Sequence, residues 1–276
     1  MKRGFDFLGE EAASEDGDRI VVVPVPIEWS TSYIKGTASA PRAILEASRQ
    51  IELYNASIDF DLEGSGIATV GDEIKDREAL IAWMRNNRGA MRDALPVFLG
   101  GEHSITPWIL EGLQPGEIGI VWLDAHGDLR ESYEGERESH AAAARNSLRF
   151  GRIVEGGVRS ISSEEKRFID SSREVRVFAG IGEDFREAVS ELPRNVYLSF
   201  DFDVVDPSLL RALGTPEPGG IQWNDICGLF DFLFSQKNVV AMDFVELAPR
   251  LGDETSNFIA ARIVYEAVSR YLKNND

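Results

Sequence analysis

Short apolar runs alternate with amphipathic stretches along this chain. β-like runs lie at 20–25, 96–99, 118–123, 175–179, 196–200 and 239–242, with weaker ones at 66–70 and 157–161. Several are apolar on consecutive residues, which suits strands buried on both faces of a parallel sheet. Helical periodicity fills the intervals at 40–48, 76–93, 107–112, 139–150, 163–169, 183–191 and 224–235. The closing stretch 254–272 sets Phe258, Ala261, Tyr265, Val268 and Leu272 on one stripe and predicts a long packed helix. This alternation predicts an α/β fold with a mostly parallel sheet. No linker rich in Pro, Gly or Ser divides the chain, so residues 1–276 read as one domain. The acidic stretch 10–18 reads as a solvated N-terminal segment.

Composition narrows the function. The chain has 276 residues, 29 basic and 47 acidic, for a net charge of −18. That balance argues against nucleic acid as a partner and is compatible with a cationic substrate. A single cysteine, Cys227, excludes a disulfide framework and any multi-cysteine zinc site. Its apolar surroundings at 226–230 make it a small core residue. No apolar stretch reaches the ~20 residues needed to span a bilayer, and the N-terminus turns acidic at once, unlike a secretory signal. A cytoplasmic protein without a membrane partner is expected, with the sequon at 55–57 unglycosylated. No glycine-rich phosphate loop follows a strand, so nucleotide binding has no support.

Only three histidines occur, and each sits in a dense polar cluster. The cluster Asp124-Ala125-His126-Gly127-Asp128 follows the run 118–123. In extended chain, residues i, i+2 and i+4 point the same way, so Asp124, His126 and Asp128 can converge at a strand end. An exposed polar loop is the alternative. In Ser199-Phe200-Asp201-Phe202-Asp203, two more aspartates share a face amid apolar neighbours, and carboxylates so placed need neutralising. The third cluster, Gly100-Gly101-Glu102-His103-Ser104, follows 96–99, and its glycines permit a sharp turn and close backbone approach. Ligands of open α/β sheets bind beyond the carboxyl ends of the strands. Two imidazoles and four carboxylates delivered there suit two manganese-like ions about 3.5–4 Å apart, which would acidify a bound water.

Together these motifs resemble the ureohydrolase family of arginase, agmatinase and their relatives. The resemblance is carried by GGEHS (100–104), DAHGDLRESYEG (124–135), SH (139–140), SFDFDVVDP (199–207), GTPEPGG (214–220) and DFVELAP (243–249), with TSYIKGTASAPRAI (31–44) towards the N-terminus. It spans most of the chain in the family's order. It implies a three-layer α/β/α fold around an eight-stranded parallel sheet, and two Mn2+ ions serving hydrolysis of a guanidinium to urea and an amine. By motif position, His103, Asp124, Asp128 and Asp201 would hold one ion, and His126, Asp124, Asp201 and Asp203 the other. His140 aligns with the family's catalytic histidine beside the metals, and Glu246 with the carboxylate that grips the guanidinium. The resemblance also implies a homo-oligomer, a trimer or hexamer. Two positions depart from the pattern: Glu102 stands where the family often has Asp, and 208–213 lacks the Pro/Gly-rich stretch of many relatives.

The stretch 129–138 looks like the agmatinase version of its loop. Its glutamates at 131, 134, 136 and 138 suit a cationic tail better than a carboxylate. Agmatine, cleaved to putrescine and urea in polyamine biosynthesis, is therefore the expected substrate. Arginine, guanidinobutyrate, guanidinopropionate and formiminoglutamate are the alternatives, and Arg130 or Arg137 would have to meet their carboxylates. A catalytically silent homologue is a further alternative, disfavoured because such proteins usually lose a ligand.

Overall fold

The consecutive apolar residues of the strand runs do face two ways in the computed structural model, which describes residues 6–70, 74–87, 89, 91 and 94–276. Among these residues the strands are β1 (Ile20–Val25), β2 (Tyr54–Asn55), β3 (Phe60–Asp61), β4 (Ile67–Thr69), β5 (Leu95–Gly100), β6 (Ile118–Leu123), β7 (Gly151–Gly156), β8 (Val175–Phe178), β9 (Asn195–Asp201) and β10 (Asn238–Val245). The helices are α1 (Ala40–Ser48), α2 (Arg77–Asn86), α3 (Ile105–Leu113), α4 (Ala143–Ser147), α5 (Ser163–Ser171), α6 (Glu183–Ser190), α7 (Trp223–Gln236) and α8 (Glu254–Asn274). Ile20 and Val22 of β1, with Leu95, Val97 and Leu99 of β5, pack with α1, α6, α7 and α8. Val21, Val23, Phe98, Ile120 and Trp122 enter a second core with α2, α3 and α4 on the opposite face. The result is the expected three-layer α/β/α arrangement. No helix of the described residues is long and apolar enough to cross a membrane.

Eight strands form one sheet in the order β4-β1-β5-β10-β9-β6-β7-β8, every pairing parallel. β2 and β3 make a separate antiparallel pair. The chain leaves β5, skips two positions and resumes at β6, and the gap is later filled by β9 and β10. That is a topological switch point, the place where an open parallel sheet offers a crevice at its carboxyl edge. A bulge between Val239 and Ala241 resets β10 against β9, so that Asp243 faces Ser199 and Val245 faces Asp201.

Several expectations need correction. The seventh strand lies at 151–156, not 157–161; Arg152 and Glu155 interrupt its apolar run, and Gly157 at φ 92° ends it. The stretch 139–150 is helical only over 143–147, after a 3-10 turn at His140–Ala142. Of the α8 stripe, Phe258 is exposed while the other four residues are buried. The acidic residues of the stretch 10–18 are exposed as expected, with Ala12 buried among them, while Phe7 and Leu8 just before it are buried and Leu8 N donates to Ser48 Oγ. The helix expected over 76–93 ends at Asn86, and positions 88, 90, 92 and 93 lie outside the described residues. Cys227 is half-buried, and burial raises its thiol pKa. Asn55 is fully buried and donates to Glu266 and Ser269.

Glu155 is the anomaly of the sheet. It is fully buried beside Trp122 in the register of β6 and β7. Neither carboxyl oxygen has a hydrogen-bond partner among the described residues. Burial, then the charges of Asp124 and Glu165, pushes its pKa well up. A carboxyl so raised stabilises the fold below the ordinary carboxylate range and loses that contribution as pH climbs towards the raised value. Glu155→Gln should therefore gain on the parent as pH rises from 5 to 8, by on the order of 1–3 kcal/mol. Thermal unfolding of both chelated proteins measures this; a gap that closes or reverses with pH contradicts it.

Candidate metal centre and active-site cleft

Four adjacent strands deliver the polar clusters to one spot. His103 follows β5, Asp124 follows β6, Asp201 ends β9, and Glu246 follows β10. The GG turn is needed for close approach: a Cβ on Gly101 would lie 2.0 Å from the carbonyl oxygen of Ile27. Gly101 also accepts a hydrogen bond from Glu246 N, and His103 N donates to Glu246 Oε1 at 2.7 Å. Asp128 and Glu246 both hold positive φ, 47° and 66°, a conformation that costs a non-glycine residue about 1–3 kcal/mol and clusters at functional sites.

His103 Nδ1 lies 3.2 Å from Asp124 Oδ2, 3.4 Å from Asp128 Oδ2 and 3.1 Å from Asp201 Oδ2. Yet it makes no hydrogen bond among the described residues, although it is buried. Its other nitrogen, Nε2, meets Ser199 Oγ at 2.8 Å, and that hydroxyl donates to Asp243 Oδ1 at 2.7 Å. Ser199 must then accept from Nε2–H, which leaves Nδ1 with a lone pair aimed at three carboxylates. A lone pair among carboxylate oxygens is what a cation requires. His126 Nδ1 lies 2.9 Å from Asp203 Oδ2 and 3.6 Å from Asp124 Oδ1. Two groups result, His103–Asp124–Asp128 and Asp124–His126–Asp203, each with ligand atoms within 4.8 Å of one another and with Asp124 common to both. Asp201 approaches His103 from the first group's side, while its Oδ1 accepts from Asp203 N. The donor set fits a pair of hard or borderline divalent ions.

The charges do not balance on their own. Burial and neighbouring carboxylates push Asp128 and Asp201 well above the usual range. Burial opposes the charge on Asp124 too, but the adjoining imidazoles of His103 and His126 hold it low. Burial likewise opposes the imidazolium of His103, and the aspartates nonetheless push it up to about 9. Burial and then Glu102 push Glu246 up to about 8.

His140 stands apart from both groups. Its backbone N and its Nδ1 meet Ser30 Oγ at 3.0 and 3.1 Å, and Tyr133 packs edge-on at 5.4 Å. Burial holds it below the ordinary imidazole value. The cleft of about 240 Å³ is lined by Tyr33, Asp124, His126, Asp128, Arg130, Tyr133, His140, Glu165, Asp201, Asp203 and Glu246, among others. None of the glutamates between 131 and 138 lines it. They are exposed, with Glu131 pairing Arg137 at 3.2 Å. The acid in the wall is Glu165, which accepts from Leu129 N and stands 3.9 Å from Arg130. Glu102 accepts five hydrogen bonds, four of them from residues 29–31. In the 208–213 stretch Leu210, Ala212 and Leu213 are buried, and Leu213 bridges to Leu247 beside Glu246.

Sequence reading missed three contributors. Trp122 stacks on His103 at 4.1 Å and donates to Asp124 Oδ2; it shares strand parity with Asp124, so a signal existed. Glu165 reads as a helix capping box with Ser162, which it also forms. Ser30 carries no sequence signal.

Known proteins resemble this chain in sequence and fold. The Arginase family model matches residues 18–269. An agmatinase of Pyrococcus horikoshii is 35% identical, over 96% of this chain and 96% of its own. An N(1)-aminopropylagmatine ureohydrolase of Thermus thermophilus is 33% identical, over 95% and 93%. The crystal structure of the agmatine ureohydrolase of Thermoplasma volcanium superposes with a TM-score of 0.83 at 30% identity, over 97% and 94%.

Because Gly101 couples His103 and Glu246 through the backbone, Gly101→Ala should disturb both. Overpacking against Ile27 should cost about 1–3 kcal/mol, a fall in Tm of roughly 3–10 °C. An unchanged Tm would mean that the turn has slack.

Proposed function

Proceeding from a chain that belongs to the Arginase family and is an agmatinase-like ureohydrolase, we propose that it cleaves the guanidinium of agmatine at a binuclear manganese centre. His103, Asp124, Asp128 and Asp201 would hold one ion, and His126, Asp124, Asp201 and Asp203 the other. Bound divalent ions supply Lewis acidity, which lowers the pKa of water and readies it to attack carbon. The balanced reaction takes a guanidinium and water to urea and an alkylammonium. Glu246 is buried, and one of its oxygens is fixed by His103 N. Its carboxylate faces the substrate cation and orients it by charged hydrogen bonds. Burial keeps His140 neutral near pH 7, so its imidazole can take a proton from the attacking water and return it to the leaving amine.

The charge of the cleft wall carries the choice of substrate. Six carboxylates line it, from Asp124, Asp128, Asp201, Asp203, Glu165 and Glu246. Among the described lining residues Arg130 is the one arginine, and no lysine is present. Arg130 already faces Glu165 and lies over the Tyr133 ring at 5.5 Å. Arg137 is exposed and paired. A substrate carboxylate would find no unengaged cation, whereas an alkylammonium meets acids. A second reading extends the amine by an aminopropyl arm. The name of the Thermus relative supports it, as does the exposed Tyr33 in the cleft lining, which leaves room at the rim for a longer tail.

Chelation should abolish urea release, and manganese should restore it with two ions per chain by metal analysis. Asp124→Ala and Asp201→Ala should lose most activity. Full turnover with one ion per chain would sink the binuclear reading.

Specificity is read from kcat/KM at equal metal loading. Agmatine or N(1)-aminopropylagmatine should exceed arginine and 4-guanidinobutyrate by about a hundred-fold, because a carboxylate in this wall is unpaired. The ratio of the first two decides between the two readings. A win for arginine would assign Arg130 to carboxylate recognition.

A further inference from the structure

We propose that Ser30 and Glu102 are positioning residues that fix the tautomer of His140. The inference rests on the reading of His140 as the proton carrier, and it concerns groups that lie behind the imidazole. Ser30 Oγ makes three hydrogen bonds. His140 N donates to it at 3.0 Å, His140 Nδ1 lies at 3.1 Å, and the hydroxyl donates to Glu102 Oε1 at 2.8 Å. A hydroxyl has one proton and two lone pairs. With its proton given to Glu102 and one lone pair taken by the backbone amide, the remaining lone pair can only accept. The Nδ1 contact is therefore Nδ1–H to Ser30 Oγ, and Nε2 is left as the ring nitrogen that offers a lone pair to the cleft.

Glu102 decides which way the hydroxyl points. It is fully buried. Its Oε2 accepts from Trp29 N, Ser30 N and Thr31 Oγ1, and its Oε1 from Ser30 Oγ and Ser104 Oγ. Turning the Ser30 hydroxyl towards Nδ1 would strip one donor from a buried carboxylate, which is costly. The opposite tautomer of His140 is thus penalised through Ser30, and the proton-accepting nitrogen is set before substrate arrives. The same carboxylate fastens residues 29–31, next to the cleft-lining Thr31, Ser32 and Tyr33. Wall and imidazole are therefore held by one group.

The test reads the tautomer directly. The chain has only three histidines, so ring 15N NMR of the chelated and the zinc-loaded protein, with His140→Asn to assign the signal, resolves each ring. His140 should carry its proton on Nδ1 in the parent and in Ser30→Thr. In Ser30→Ala it should shift towards Nε2–H. Glu102→Gln should do the same, since the amide presents a donor to Ser30. In manganese-loaded enzyme Ser30→Ala should lower kcat by about tenfold or more, a part of what general acid–base catalysis supplies. KM and metal content should stay within about twofold, and Ser30→Thr should recover most of the loss. A parent with Nε2–H, or a Ser30→Ala protein whose tautomer and kcat match the parent, would overturn the proposal. A shifted tautomer with parental kcat in both Ser30→Ala and His140→Ala would uphold the positioning and sink the proton-carrier role instead.

Discussion

Four buried aspartates within reach of one another are the constraint around which this molecule is organised. Carboxylates in an apolar interior repel and are poorly solvated, so Asp124, Asp128, Asp201 and Asp203 are tolerable only with matching positive charge. Every device near them serves that requirement. The sheet is wholly parallel, so all strand carboxyl ends face one way, and the switch between β5 and β6 opens the crevice there. Backbone amides of Ala125, His126 and Asp203 donate to aspartate oxygens. The two imidazoles present nitrogens rather than bulk. Two candidate ligand groups that share Asp124 remain, an arrangement that fits a binuclear site.

Behind the aspartates lies a second set of acids with a different task. Asp243 receives Thr106, Tyr197 and Ser199 and so fixes which nitrogen His103 offers. Glu165 ties Leu129, next to Arg130, to the start of α5. Glu102 ties residues 29–31 to the turn after β5. Each is a buried carboxylate that gathers donors from separate parts of the chain. Loops held by local packing alone would leave the cleft wall free to open and to admit water around the imidazole. Satisfying a carboxylate with several donors makes the wall rigid, since losing any donor exposes a buried charge.

The fold was legible because its signals are local. Consecutive apolar residues at 20–25 and 118–123 require cover on both faces, and a parallel sheet supplies it. β7 escaped because Arg152 and the buried Glu155 break its apolar pattern, and no short-range rule anticipates a buried, unpaired carboxyl. The aspartate and histidine clusters were visible because strand parity groups i, i+2 and i+4. The support behind them was mostly invisible: Ser30 and His140 are 110 positions apart, and nothing in either neighbourhood names the other. Charge counting along 131–138 also misled. It placed acids in the cleft that the turn at Glu134 and Gly135, both at positive φ, leaves in solvent, while Glu165 in the wall looked like a cap.

This division bears on how relatives with one centre come to act on different amines. The candidate ligand groups share Asp124, so on the proposed binuclear reading a shift of a few tenths of an ångström at its strand end would disturb both ion sites at once. They have little freedom to change. The cleft wall is drawn from 31–33, 130–133, 160–165 and 214–215, and the first two adjoin residues held by the buried carboxylates of Glu102 and Glu165. Those two segments can vary in length or charge while their anchors hold. If Glu246, whose backbone is locked to Gly101, holds the guanidinium as proposed, selectivity for the tail of the substrate could drift while that end stays fixed. The tail would then be read where the protein is free to change, and the bond to be broken where it is not.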